Sequence, residues 1–303
     1  MTFDRSTLPL VSVAVITYNQ RHLLDECLSS ILAQDYPAIE IVVADDGSTD
    51  GAQELLRDYQ AAHPGLFVLR LAPVNRGVTA NHDLALAACS GKYISWIGGD
   101  DMMLPGKIAV QVAYLEANPS CSICYHDVEL FDSDSGRTIR LWSAADKPRS
   151  GGFLTLVRHG HFNTGISSMV RRSASPDRFE PSITVASDWL YFVECLSGGG
   201  SIDFIRGIYA RQRRHAHNVT LSSDPCQPAH LFEQHLQSCA IILARWPYAA
   251  RAVRYRMAAL LRMQRWQDGG ANYGAFLRAS LALHFSATVA AAVIANRLGG
   301  TRR

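Results

Sequence analysis

The chain has 303 residues, of which 48% are hydrophobic and 18% charged, and a formal net charge of +2. That is an ordinary globular composition with ample apolar content for a core, in one large domain or two smaller ones. Seven scattered cysteines, an odd number without framework spacing, argue against a disulfide scaffold and for a reducing compartment. The charge is unevenly spread: Phe204 to Arg303 holds fourteen arginines, no lysine and three acids, a net +11, which leaves −9 on Met1 to Asp203. Such asymmetry points to an anionic partner for the basic part. The N-terminus lacks a basic segment followed by a long apolar core, so no secretory signal is expected and the chain reads as cytoplasmic. In that setting "NVT" at Asn218 reads as a chance match to the glycosylation pattern.

"LVSVAVITYN" is a β-branched apolar run and predicts a buried strand over Val11–Thr17. "RHLLDECLSSILAQ" carries Leu24, Cys27, Leu28, Ile31 and Leu32 at helical spacing. "IEIVVADD" is the next strand, and "STDGAQELLRDYQAAH" a helix with Ser48, Thr49 or Asp50 as its cap. "LFVLRLA", "TANHDLALAACSG" and "KYISWIGG" predict a strand, a helix closed by Gly91 and a fourth strand. "LPGKIAVQVAYLEANP" is a helix with Pro105 in its first turn, and "SICYHDVELF" a fifth strand. Cys121 and Cys124 fall in that buried run, so their C-x-x-C spacing is not expected to hold a metal. Further on, "GISSMVRR" and "SIDFIRGIYARQRRH" read as strands and "SDWLYFVECLSGG" as a helix. From Gln227 the signal is helical, with a boundary expected near Asp224 to Pro228.

Alternation of strand and helix with short connections implies an α/β, mostly parallel, Rossmann-like sheet flanked by helices, followed by a C-terminal helical extension. Ligands of such sheets sit beyond the carboxyl ends of the strands. Here those ends are "TYN", "DDGSTD", "NRG" and "GGDD". Asp100 and Asp101 at the fourth end repel one another, and a divalent cation with oxygen ligands would offset that. The competing reading is a helix-capping pair before Leu104. The acids of "DDGSTD" could hydrogen-bond a base or ribose, or cap the next helix. Neither of the usual glycine-rich phosphate loops occurs, so phosphate must be met by metal or by Arg and Lys.

"VSVAVITYN", "EIVVADDGSTDG", "NRGVTANHDLAL", "GKYISWIGGDDMMLPGKI", "ASDWLYF" and "RRHAHNVT" stand in the order typical of family 2 glycosyltransferases of the GT-A fold, and the chain resembles them from about Pro9 to Leu221. The resemblance implies a nucleotide-sugar donor, usually a UDP-sugar, a divalent metal (Mn2+ or Mg2+), and transfer with inversion. By position it implies that Thr17 and Tyr18 pack on the base and that Asp46, with Asp45 beside it, reads the uracil. Arg76 would line the nucleotide site with Asp100. Asp101 and Asp100 would form the metal motif, whose first acid is replaced by Gly98. Asp188 would be the general base, against a capping role at its helix start. Arg213 and His215 resemble a motif closing over the diphosphate, His215 being either a metal ligand or a surface histidine. His161, Asn163 and Thr164 fall where the family meets its acceptor, expected to be a glycan or lipid-linked saccharide and not nucleic acid.

The expected organisation is a catalytic domain over residues 1–225 and an Arg-rich helical region over 226–303, as in cell-surface polysaccharide synthesis. The alternative is a non-catalytic GT-A-fold protein that binds nucleotide-sugar or glycan, to which Gly98 and Ser187 lend weight. The tail carries Arg245, Arg251, Arg254, Arg256, Arg262 and Arg265 among Trp, Tyr, Leu and Met, a basic amphipathic pattern too polar to span a bilayer. It reads either as a packing element or as a peripheral contact with the anionic cytoplasmic face of a membrane.

Overall fold

The computed structural model describes residues 8–216, 218, 227–263, 273–284 and 290. The chain divides into two compact units, Met1–Leu156 with His161–Asn218, and Val157–Gly160 with Val219–Arg303. The expected boundary at 225/226 and the apolar run after His284, residue 290 apart, lie outside the described residues.

In the first unit β1 (Val11–Thr17), β2 (Ile39–Asp45), β3 (Phe67–Leu71) and β4 (Tyr93–Gly98) form a parallel array in the order β3-β2-β1-β4. β1 is buried on both faces, which its unbroken β-branched run allows. The crossovers are α1 (Arg21–Leu32), α2 (Ala52–Ala62) and α3 (Val78–Leu86). α1 buries Leu24, Cys27, Leu28 and Ile31, one stripe at helical spacing, in the same core cluster as Val13, Val15, Ile41 and Val43.

The later part runs β5 (Met102–Met103), α4 (Lys107–Ala117), β6 (Cys121–Asp132), β7 (Thr138–Leu141), α5 (Phe153–His159), β8 (Ser168–Arg171), α6 (Asp188–Cys195) and β9 (Ser201–Arg214). The sheet continues β4-β8-β6-β9-β5, with β7 on β6. β8 runs against both β4 and β6, whereas β6 and β9 are parallel. Six strands therefore share one direction, and β5, β7 and β8 oppose it. Three features depart from the sequence reading: the short β5, the strand β7, and the insertion of β8 between the fourth and fifth expected strands. Because β9 points the same way as β4, its last residues arrive at the edge where Thr17, Asp45 and Gly98 end their strands. Thr17 lies in register with Asp45, and Ile16 with Gly98.

The second unit contains α7 (Gln227–Arg245), α8 (Ala250–Met263) and α9 (Tyr273–Leu283). Cys239, Ile242, Val253, Leu260 and Leu277 are buried in it. Ser280 Oγ donates to the Ala258 carbonyl and receives Arg262 Nη1, both at 2.9 Å, which joins α9 to α8. No described helix is long and apolar enough to cross a membrane. The six described free cysteines are buried, and burial pushes the Cys121 thiol up to about 12.

Under the sheet lies a fully enclosed cation. Lys107 Nζ donates to Ser95 Oγ at 2.7 Å and Gln111 Oε1 at 2.8 Å, and burial brings its ammonium from 10.5 down to about 7. Below pH 7 the folded protein must keep a charge out of water; between 7 and 10.5 the unfolded chain binds the extra proton, so stability rises with pH across that window. Lys107→Met is therefore expected to raise the unfolding midpoint at about pH 6 and to lose that advantage progressively toward about pH 10. Thermal denaturation at several pH values measures this, and a pH-independent gain or loss would contradict it.

Candidate active site

The ends of β1 and β2 are tied together by their loops. Asn19, in the left-handed region at φ 50°, donates its N–H to Ser48 Oγ and accepts the Thr49 N–H on Oδ1, both at 2.8 Å. Asp50 accepts the Arg21 N–H at 2.8 Å and the Ala52 N–H at 3.0 Å, so one carboxylate serves the starts of α1 and α2. Asp45 is fully enclosed; it accepts the Ser48 N–H at 2.9 Å, the Ser48 hydroxyl and Gln53 Nε2 at 2.7 Å. Of the two adjacent acids, Asp45 thus holds the loop from within. Asp46 accepts the N–H groups of Arg76 at 2.8 Å and Gly77 at 2.9 Å, one on each oxygen. Gly47, at φ 75°, makes this approach possible, since a Cβ there would lie 2.6 Å from the Val74 carbonyl carbon.

Tyr18 stands 43% exposed above the buried Thr17, and Arg76 is exposed. A cleft of about 280 Å³ opens beside Arg76, bordered also by Asp46, Asn81 and Leu84. Asn81 donates Nδ2 to the Ala44 and Thr17 carbonyls at 3.0 and 3.3 Å, bridging β2 and β1, while its buried Oδ1 has no hydrogen-bond partner among the described residues. The sequence reading did not single it out, although it lies within "NRGVTANHDLAL".

At the end of β4 the carboxylate pair is held from one side. Asp100 Oδ2 accepts His215 Nε2 at 2.9 Å and Asn218 Nδ2 at 3.0 Å; Asp101 Oδ1 accepts the Arg213 N–H at 2.9 Å. Asp101 is 6% exposed; burial first, then the neighbouring Asp100 charge, push its carboxyl well above the usual range. The other two oxygens face Gly98, where a Cβ would lie 2.7 Å from Asp100 Oδ1 and 3.7 Å from Asp101 Oδ2. Neither oxygen has a hydrogen-bond partner among the described residues. Two such carboxylate oxygens beside an imidazole suit Mn2+ or Mg2+. Among the described residues, however, no three His, Cys, Asp or Glu side chains stand as a preformed metal cluster.

Arg213 has another task than the diphosphate contact expected of it. Its buried guanidinium donates to the Asp100 carbonyl at 2.8 Å, pairs with Glu26 of α1 and lies 4.8 Å from the centre of the Phe131 ring. Arg214, close enough to feel the charges of Asp101 and Asp100, has no side-chain hydrogen bond or ion pair among the described residues. Asn218, flagged only by its glycosylation pattern, is a carboxylate partner instead.

Asp188 opens α6, and its Oδ1 accepts both its neighbour's N–H, from Trp189 at 2.8 Å, and His161 Nε2 at 3.0 Å. The sequence placed these two residues in separate roles; the structure pairs them. Asn163 and Thr164 are buried in a turn closed on itself by Ser167 and Ser168: Asn163 Nδ2 donates to Ser168 Oγ, and Thr164 O accepts both hydroxyls. α3 braces the α6 end as well, through Thr79 Oγ1, which contacts the Ile183 carbonyl at 2.6 Å and Ser187 Oγ at 2.9 Å.

Residues 12–179, more than half of the chain, match the family described as Glycosyl transferase family 2. The protein Rv1520 of Mycobacterium tuberculosis is 32% identical over 212 residues, covering 69% of this chain and 60% of its own. The chain thus spans about three-fifths of the length of the first curated relatives it matches. Among solved structures, S. aureus TarS 1-349 in complex with UDP-GlcNAc has a TM-score of 0.67 at 16% identity, over 90% of this chain and 82% of that one. The mannosyltransferase PcManGT from Pyrobaculum calidifontis, in complex with GDP-Man and Mn2+, has a TM-score of 0.62 at 20% identity, over 99% and 83%. At these identities the likeness shows the fold, GT-A.

The contact of the 46–51 loop with the 74–77 loop is the tightest requirement of this edge. Gly47→Ala adds a left-handed non-glycine residue and a backbone collision, and is expected to destabilise the protein by about 2 kcal/mol or more. Chemical denaturation measures it; a change under about 0.5 kcal/mol would show that the loops have room to part.

Proposed function

Because the chain belongs to glycosyl transferase family 2, we propose that it moves a sugar from a UDP-sugar to a hydroxyl of a glycan or lipid-linked saccharide, with inversion at the anomeric carbon. The observation that carries this reading is the carboxylate pair at the end of β4, with one oxygen of each acid turned to the space beside Gly98. Tyr18 offers its exposed ring to the base. Asp46 keeps a second lone pair on each oxygen, enough to accept an N–H of uracil. Thr17 and Arg76 complete the nucleotide end, and Arg214 is the cation for the diphosphate. Asp101, Asp100 and His215 would hold Mn2+ or Mg2+, which when bound neutralises charge on the leaving diphosphate. Asp188 takes the acceptor hydroxyl proton as that oxygen attacks the anomeric carbon opposite the diphosphate. The bond from that carbon to the diphosphate oxygen breaks with its electron pair, and UDP leaves.

Calorimetric titration with UDP, with and without Mn2+, tests the donor site, and hydrolysis of a panel of UDP-sugars and GDP-mannose tests turnover. Binding without turnover of any donor in the presence of glycan acceptors would favour a non-catalytic binder; no nucleotide binding would sink both. Asp188→Asn should cost at least about a hundredfold in turnover while leaving UDP affinity within about threefold. Near-normal turnover in that variant would return Asp188 to helix capping.

The division into a catalytic domain, 1–225, and an Arg-rich region, 226–303, belongs to this proposal. α8 turns Ala252, Val253, Ala258 and Leu260 inward and exposes Arg251 and Arg254, with Tyr248 just before it. Its apolar stripe is spent on packing, so attachment to an anionic cytoplasmic leaflet would be electrostatic, at about 1 kcal/mol per basic residue. The protein is expected to bind anionic but not neutral liposomes, with loss in high salt and in Arg251→Glu/Arg254→Glu. Equal binding to both vesicle types would remove the membrane role.

A further inference from the structure

His161 was expected to meet the acceptor. Its Nε2 lies 3.0 Å from Asp188 Oδ1, the oxygen that also accepts the Trp189 N–H at 2.8 Å. An ionised carboxylate only accepts hydrogen bonds, so the proton between the two belongs to Nε2. The terminal torsion of an aspartate is broad and two-fold, so the donors that reach the carboxylate set its plane. A second donor from a different segment fixes the plane and the direction in which it presents Oδ2. The pair is only partly open to solvent, with side-chain exposures of 24% for His161 and 42% for Asp188.

The segment just before His161 is itself anchored. Within the second unit, Arg158 lies over the Tyr255 ring at 4.3 Å, and Arg256 Nη1 donates to the His159 carbonyl at 3.5 Å. Gly160, at φ 70°, has no room for a Cβ against the Arg256 guanidinium. α6 holds the other partner, with Trp189 Nε1 donating to the Leu156 carbonyl at 3.3 Å.

We propose that His161 is the positioning residue of the general base: through Nε2–H it holds Asp188 in the orientation that receives the acceptor proton. This rests on the reading of Asp188 given above. It acts through Asp188 and does not itself take the acceptor proton. Its loss should fall on turnover, since donor binding is made at other strand ends.

The test uses the full chain, with UDP-N-acetylglucosamine hydrolysis in Mn2+ as the turnover probe and UDP titration for affinity. His161→Ala should lower kcat about tenfold or more, with KM and UDP affinity within about twofold. His161→Gln, whose amide N–H can stand where Nε2–H stands, should recover most of that loss. Added to Asp188→Asn, His161→Ala should cause no further fall in residual turnover. The imidazole Nε2 resonance of His161 should move in Asp188→Asn, a measurement independent of activity. An effect on KM alone, no rescue by glutamine, or multiplicative losses in the double variant would overturn the proposal, as would an unmoved resonance. A wild-type protein with neither UDP binding nor turnover would overturn the glycosyltransfer reading and this role with it. A resonance shift would then still mark the pairing as real and identify the failure as one of function.

Discussion

Two like charges at the end of a buried strand are the constraint around which the polar edge of the sheet is built. Asp100 and Asp101 cannot share that place unless donors reach them, and the donors come from more than a hundred residues further along the chain. The backbone of Arg213, the imidazole of His215 and the amide of Asn218 all arrive because β9 runs parallel to β4 and ends at the same edge. The arginine side chain then clamps the Asp100 carbonyl and Glu26 of α1. The pair thus fixes where the last strand of the sheet stops, and it orders two carboxylates by using only one oxygen of each.

The rest of the edge is organised in the same manner, by polar groups committed inward so that others stay presented. Asp45 and Asp50 serve loops and helix starts, which frees Asp46 to face the 74–77 loop and leaves Tyr18 outermost. α3 joins the two ends of the site: Asn81 reaches the carbonyls of β1 and β2, and Thr79 reaches the approach to α6. A displacement of that short helix would be felt at the ends of β1 and β2 and beside Asp188 together.

Much of this was legible in the amino-acid order. The first four strands announce themselves because each is an unbroken apolar run closed by polar residues, and short connections force parallel pairing. Motif order located Asp46, Asp101 and Asp188 at strand and helix ends. What could not be read depends on partners distant in sequence. β5 is two residues long and exists only through its pairing with β9, and β8 lies between β4 and β6 for reasons of sheet closure. The distinct tasks of Asp45 and Asp46 follow from opposite side-chain directions on one loop. Arg213 looks like an anion contact until its partners are seen, and the buried Lys107 gives no local sign of its burial.

The small residue at position 98 has a consequence for how such a site can change over generations. An acid there is a single-base step from glycine, and it would restore the spaced motif. Yet its Cβ would meet Asp100 Oδ1 at 2.7 Å and add a third negative charge to a pair already partly enclosed. Asp100 Oδ1 would have to shift, on the same carboxylate whose Oδ2 accepts from His215 and Asn218. The two versions of the motif are thus one base apart, yet a side chain at position 98 would enter the space that the two carboxylate oxygens now face.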